Sequence, residues 1–167
     1  MTEDSSTAPA KYNLTSVLGD LGSLPFILLA GLMANAHFNG PGLQSASVLG
    51  LYAPYVFIAY SAVILSFLSG TVWAYARPAK GGLSKGAIVF SNLVALSAWL
   101  SLLLIYIAPI MTLFALCLLL ASYLGLLLVE RLLEVREDAG YWNMRIQLTS
   151  VVALAHLLVI LMMVVEI

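Results

Sequence analysis

His156 and Asp20 are ionisable residues that fall inside long apolar stretches of this 167-residue chain. A titratable group in hydrocarbon is costly enough to count as a candidate site. His156 lies near the middle of the last apolar stretch, with Thr149 and Ala153 on roughly the same helical face. A neutral imidazole there can donate to a backbone carbonyl and pack. It can also hold a ligand, coordinate a metal or haem, or pass a proton. Metal ligation needs further donors at helical spacing or on a facing helix. No second His or acid shares the depth of His156, and His37 falls at the far end of the first stretch, so no metal site is predicted.

Asp20 sits a turn or so into the first apolar stretch, shallow enough to reach headgroup water or to pair with Arg145 at the start of the last one. Such a pair would stabilise both charges and tie the first segment to the last. The plainer reading is a helix N-terminal acid favoured by the macrodipole. Asn92 and Ser91, with Trp99, Tyr123 and His156, make a candidate pocket for a flat lipophilic molecule such as a quinone, a lipid or a tetrapyrrole. Aromatic walls with a few polar groups suit such a ligand. Asn and Ser are equally ordinary glue between membrane helices.

There is no HExxH, no Walker loop, and no carboxylate pair at catalytic spacing within the apolar segments. No catalytic residue and no enzymatic activity is predicted. Glu134, Glu137 and Asp138 are interleaved with Arg131 and Arg136, which reads as a solvated face. Cys117 stands alone in an apolar segment and reads as a small packing residue. A net charge of −1 without a basic run argues against a nucleic-acid partner.

The elements that must carry these residues are membrane helices. The chain is 62% hydrophobic and 9% charged, whereas soluble domains carry about a quarter of their residues as charges. Five segments, about 16–37, 52–76, 86–107, 109–131 and 145–165, are each long enough for the ~20 apolar residues that cross a bilayer. Lipid cannot satisfy backbone groups, so each segment is predicted to be a helix. The fold class is all-α, a bundle of five transmembrane helices occupying residues 16–167, after a disordered cytoplasmic tail over 1–15. No charge occurs between Lys85 and Glu130. That stretch, about 66 Å long as a single helix, exceeds a bilayer and must fold as a hairpin.

Local signals refine the ends. Pro25 predicts a kink or wide turn in segment 1, and Pro109 suits the first turn of segment 4. Segment 4 is expected to continue as an interfacial helix through Glu130, Glu134 and Glu137, with Gly140 as its cap and Asn143 as the N-cap of segment 5. Ala62, Ser66, Gly70 and Ala74 recur every four residues along segment 2, a spacing that lets another helix approach closely. This stripe is predicted to be a helix contact, either within the bundle or in self-association through helix 2.

All seven Lys and Arg residues fall on one side of this pattern: Lys11, then Arg77, Lys80 and Lys85, then Arg131, Arg136 and Arg145. The positive-inside rule then puts the N-terminus in the cytoplasm and the C-terminus in the periplasm. Asp20, Trp73, Trp142, Arg145 and Thr149 form the expected polar cluster on the cytoplasmic side.

Three stretches carry a family resemblance. They are Leu18-Gly19-Asp20-Leu21-Gly22-Ser23-Leu24-Pro25-Phe26, then Tyr60 through Trp73 (YSAVILSFLSGTVW), then Tyr141-Trp142-Asn143-Met144-Arg145-Ile146-Gln147-Leu148-Thr149. Together they resemble an uncharacterised family of small bacterial inner-membrane proteins whose domain also occurs in the mitochondrial transmembrane protein 69. The resemblance implies an integral membrane protein and brings no catalytic assignment. The chain departs from the family pattern at Asp20, where a small apolar residue is usual, and at Val72, where a basic residue is frequent. Any role of that basic residue is absent or relocated here.

The resulting expectation is a non-enzymatic multi-pass protein of the bacterial cytoplasmic (inner) membrane, an accessory or assembly partner of a larger complex. Binding of a lipophilic ligand is the alternative, and transport of a proton or small solute comes third. Asp20 and His156 are too few for a relay, and five spans do not halve into inverted repeats.

Overall fold

The computed structural model describes residues 14–78, 80–133 and 139–166, apart from the side chains of residues 14–16, 18, 20 and 139. Five helices dominate: α1 (Leu14–Asn39), α2 (Ala53–Ala76), α3 (Gly82–Ile107), α4 (Met111–Leu132) and α5 (Ala139–Glu166). All five are long and apolar enough to cross a membrane. Short connections make successive helices run up and down, so the chain has two ends. One, the basic end, holds the α2–α3 and α4–α5 connections; the other, the hairpin end, holds the α1–α2 and α3–α4 connections and the end of α5. The helix α2 packs against α1, α3 and α4, and α5 closes the bundle against α1 and α4. The expected tail over 1–15 lies almost wholly outside the described residues.

Helix α2 is the pivot of the core. Phe57, Ile58, Ser61, Ala62, Leu65, Leu68, Ser69, Val72 and Ala76 are buried along it, the three-and-four spacing of a single helical face. Phe26 of α1, Leu116 and Leu119 of α4, and Val152 and Val159 of α5 belong to the same core cluster, all fully buried. The reverse surfaces carry Phe67, Leu93, Trp99, Leu128 and Leu154, which are exposed. Apolar surface on the outside and polar groups within is how a chain is arranged when lipid surrounds it.

Several ends differ from expectation, for local reasons. Helix α1 runs unbroken through Pro25. The Tyr60 hydroxyl donates to the Gly22 carbonyl at 2.8 Å, beside the Leu21 carbonyl, to which Pro25 has no N–H to donate. Pro109 precedes α4 rather than opening it: Ala108 is extended, and Met111 and Thr112 donate back to the carbonyls of Ala108 and Pro109. Gly140 and Asn143 lie inside α5, which begins at Ala139, so neither caps a helix. Helix α4 ends at Leu132, and the predicted extension through Glu134 and Glu137 falls outside the described residues. At the basic end the Ser84 hydroxyl donates to the Ala76 carbonyl, closing the α2–α3 connection.

The uncharged α1–α2 loop is more structured than its turn residues suggested. A short 3-10 turn, Leu43–Ser45, leads into a two-stranded hairpin pairing Ser47 with Tyr52 and Val48 with Leu51. Its tip is Leu49-Gly50 with φ of 52° and 79°, the left-handed pair of a type I′ turn. A leucine there costs about 1–2 kcal/mol, and its side chain is 98% exposed. Leu49→Asn is therefore expected to stabilise the protein by about 1 kcal/mol, read as a higher unfolding midpoint in detergent.

Candidate functional site

Helices α2, α4 and α5 bring Ser61, Tyr123 and His156 together at the centre of the bundle. Ser61 and His156 are fully buried and Tyr123 nearly so. His156 Nδ1 lies 2.8 Å from the Val152 carbonyl, one turn back on α5. A carbonyl only accepts, so Nδ1 carries the proton, and in the neutral ring Nε2 accepts from the Ser61 hydroxyl at 3.0 Å. The Tyr123 hydroxyl donates to the Ser61 carbonyl at 2.9 Å. Phe57, Tyr123 and Phe26 stand around the imidazole with centroids at 4.8, 5.7 and 6.0 Å.

Serine beside histidine at 3.0 Å has the reach of a nucleophile and its base. Acyl transfer also needs an open path to the hydroxyl and donors for a developing oxyanion. Here aromatic rings press on the imidazole, and a carbonyl rather than a carboxylate orients it. Both ring nitrogens are engaged by protein groups, which leaves neither free to ligate. In this conformation the arrangement is a three-helix polar tie.

A second buried polar element lies toward the basic end. Arg145 of α5 grips Glu130 of α4 through Nε at 2.8 Å and Nη2 at 2.6 Å, and both residues are 2% exposed. The fork-to-fork geometry suits guanidinium and carboxylate. Glu130 is thus a core residue, not the start of an interfacial stretch. Arg145 gives its Nε and Nη2 to Glu130 rather than to Asp20, whose side chain is outside the described residues. Nη1 of Arg145 has no partner among the described residues. Thr149, one turn along α5, is buried on the same face.

The remaining predicted residues are dispersed. Asn92 and Trp99 do not join Tyr123 and His156: both are exposed on the outer surface of α3, and Asn92 donates to the Ile88 carbonyl of its own helix. Trp73 is on the outside of α2, with the Arg77 guanidinium 5.4 Å over its ring, and Trp142 is half-buried in the first turns of α5. Of the small-residue stripe only Ala62 enters the core, whereas Ser66, Gly70 and Ala74 face outward. Cys117 is likewise exposed, on the outer side of α4. Periodicity puts residues on one face but does not say which way that face turns.

Four of these residues, Ser66, Gly70, Trp73 and Asn92, meet in a groove. Ser66, Ser69, Gly70 and Trp73 of α2 and Ser91, Asn92 and Ala95 of α3 line an open depression of about 250 Å³. A Cβ added at Gly70 would meet nothing within 4 Å. The groove runs from the basic end toward mid-membrane, since Asn92 lies about 15 Å along α3 from its start.

Length, apolar surface and buried polar ties together define a multi-pass membrane protein built as a five-helix bundle. Within that class the chain belongs to a family described as "Protein of unknown function (DUF3429)", whose model matches residues 13–161. No curated protein and no solved structure matches it.

Proposed function

We propose that the protein is a non-enzymatic accessory or assembly partner of a larger complex in the bacterial cytoplasmic membrane, and that it receives a transmembrane helix of another subunit in the α2–α3 groove. Ser66, Gly70 and Ala74 turn outward as a small-residue strip, with Ser66 and Gly70 lining the open groove, and this observation carries the reading. In lipid, helices associate by close packing over small residues and by polar contacts between them. The strip supplies the first, and the exposed Asn92 in the same groove supplies the second. An amide side chain exposed at about mid-membrane is costly against lipid tails and favourable against a partner's polar group.

The Lys and Arg distribution supports an orientation with the basic end in the cytoplasm. The relation to transmembrane protein 69, drawn from the three sequence stretches above, belongs to the same reading and extends it to a mitochondrial relative.

Gly70→Leu tests the proposal. Gly70 is exposed and a Cβ there meets open space in the isolated bundle, so unfolding in maltoside should be unchanged while recovery of the co-purifying subunit falls at least tenfold. Gly31→Leu, which also meets open space but on α1, should leave recovery at the wild-type level. Equal recovery with Gly70→Leu, or a wild-type protein that purifies gently as a monodisperse monomer, would overturn the proposal.

A further inference from the structure

At the hairpin end, Glu166 closes a clasp among three elements. Its Oε1 is 2.6 Å from Nδ1 of His37 on α1, and the Leu43 backbone N–H points between its two oxygens at 2.9 and 3.0 Å. Gly42 makes room for this with φ of 103°; an added Cβ would sit 3.3 Å from both carboxylate oxygens. A carboxylate offers about four acceptor positions. The clasp uses two on Oε1 and one on Oε2, which leaves Oε2 able to take another donor.

Beside the clasp is a pocket of about 410 Å³, with Glu166, Tyr52, Tyr55, Gln44 and Thr112 among its polar lining. The two tyrosine rings stand edge to face at 5.1 Å. Burial, with smaller contributions from Glu166 and Tyr55, pushes the Tyr52 phenol up, so that ring stays neutral. Leu113 and Met163 continue the wall as apolar surface. Every described Lys and Arg lies toward the opposite end of the bundle.

We infer that this pocket binds an organic ammonium group, held by the Glu166 carboxylate and the faces of Tyr52 and Tyr55. A carboxylate with electron-rich ring faces attracts a cation, and no Lys or Arg side chain among the described residues is near to hold an anion. The apolar wall suits carbon attached to the ammonium nitrogen. That chemistry is shared by the ethanolamine or choline headgroup of a phospholipid and by a free amine.

Two arms distinguish those sources in the full-length protein in maltoside. One titrates choline chloride into protein carrying labelled tyrosine and follows the Tyr52 and Tyr55 resonances. The other uses native mass spectrometry after equal loading with phosphatidylethanolamine, phosphatidylcholine or phosphatidylglycerol. Saturable shifts with choline alone identify a free amine. Selective retention of the two ammonium lipids, with or without choline shifts, identifies a headgroup. In either case Glu166→Gln should weaken binding at least tenfold, since its amide oxygen still accepts from Leu43 but carries no charge. Tyr55→Leu, which leaves the clasp intact, should weaken it several-fold and serves if the Gln variant misfolds. No choline shift together with no selectivity for the ammonium lipids over phosphatidylglycerol, or unchanged binding in the folded variants, would overturn the inference.

Discussion

Arg145→Leu is expected to destabilise the bundle by about 3–5 kcal/mol, enough to lower protein levels sharply in cells. The reason is the residue left behind. Glu130 is 2% exposed and accepts both described Arg145 contacts; without the guanidinium it must ionise unpaired or bind a proton. Glu130→Leu should cost a similar amount, leaving the guanidinium buried without its carboxylate. The double substitution Glu130→Leu/Arg145→Leu should recover most of the loss, because two apolar side chains of adequate volume remove both desolvation costs together. Unfolding midpoints of the four proteins in the same detergent give the coupling energy. Losses that simply add would contradict the pair as a unit.

The second large effect is expected at His156. His156→Ala removes a ring enclosed by Phe26, Phe57 and Tyr123 and leaves a cavity, with a cost of about 3–5 kcal/mol typical of buried rings. It also takes the Ser61 hydroxyl's partner. His156→Phe restores most of the volume but neither hydrogen bond, so stability should rank wild type, then Phe, then Ala. This order separates packing from chemistry. A His156→Ala protein as stable as wild type but unable to sustain the family's cellular role would show that the imidazole acts on something other than its neighbours.

The five helices were legible because span length and apolar content are properties of a segment by itself. What was not legible depended on rotation and on neighbours. Ser66, Gly70 and Ala74 announce one face through their spacing, yet nothing in the spacing says that this face turns away from the bundle. Asn92 and Trp99 were grouped with Tyr123 and His156 by chemical type, and the rotation of α3 separates them.

Glu130 was read with the charges that follow it, as interfacial. A usable signal was present: Glu130 and Arg145 sit a few residues inside α4 and α5 on either side of one connection. Antiparallel neighbours put such positions at similar depth. Ser61 gave no signal of its own, because a serine in an apolar helix is common and its value here comes from a histidine 95 positions away. The hairpin over 47–52 was hidden for a different reason, a leucine in a left-handed turn position where Asn or Gly is the usual marker.

The central claim, that the α2–α3 groove holds a helix of another subunit, is tested most directly by photo-crosslinking in intact membranes. A photoreactive residue would be placed singly at Gly70 and Asn92 in the groove, and at Leu128 and Leu158 on the exposed surfaces of α4 and α5. The account predicts one discrete heterologous product from positions 70 and 92 and none at comparable yield from 128 and 158. Equal products from all four positions, or a product from the groove containing only a second copy of this chain, would contradict it.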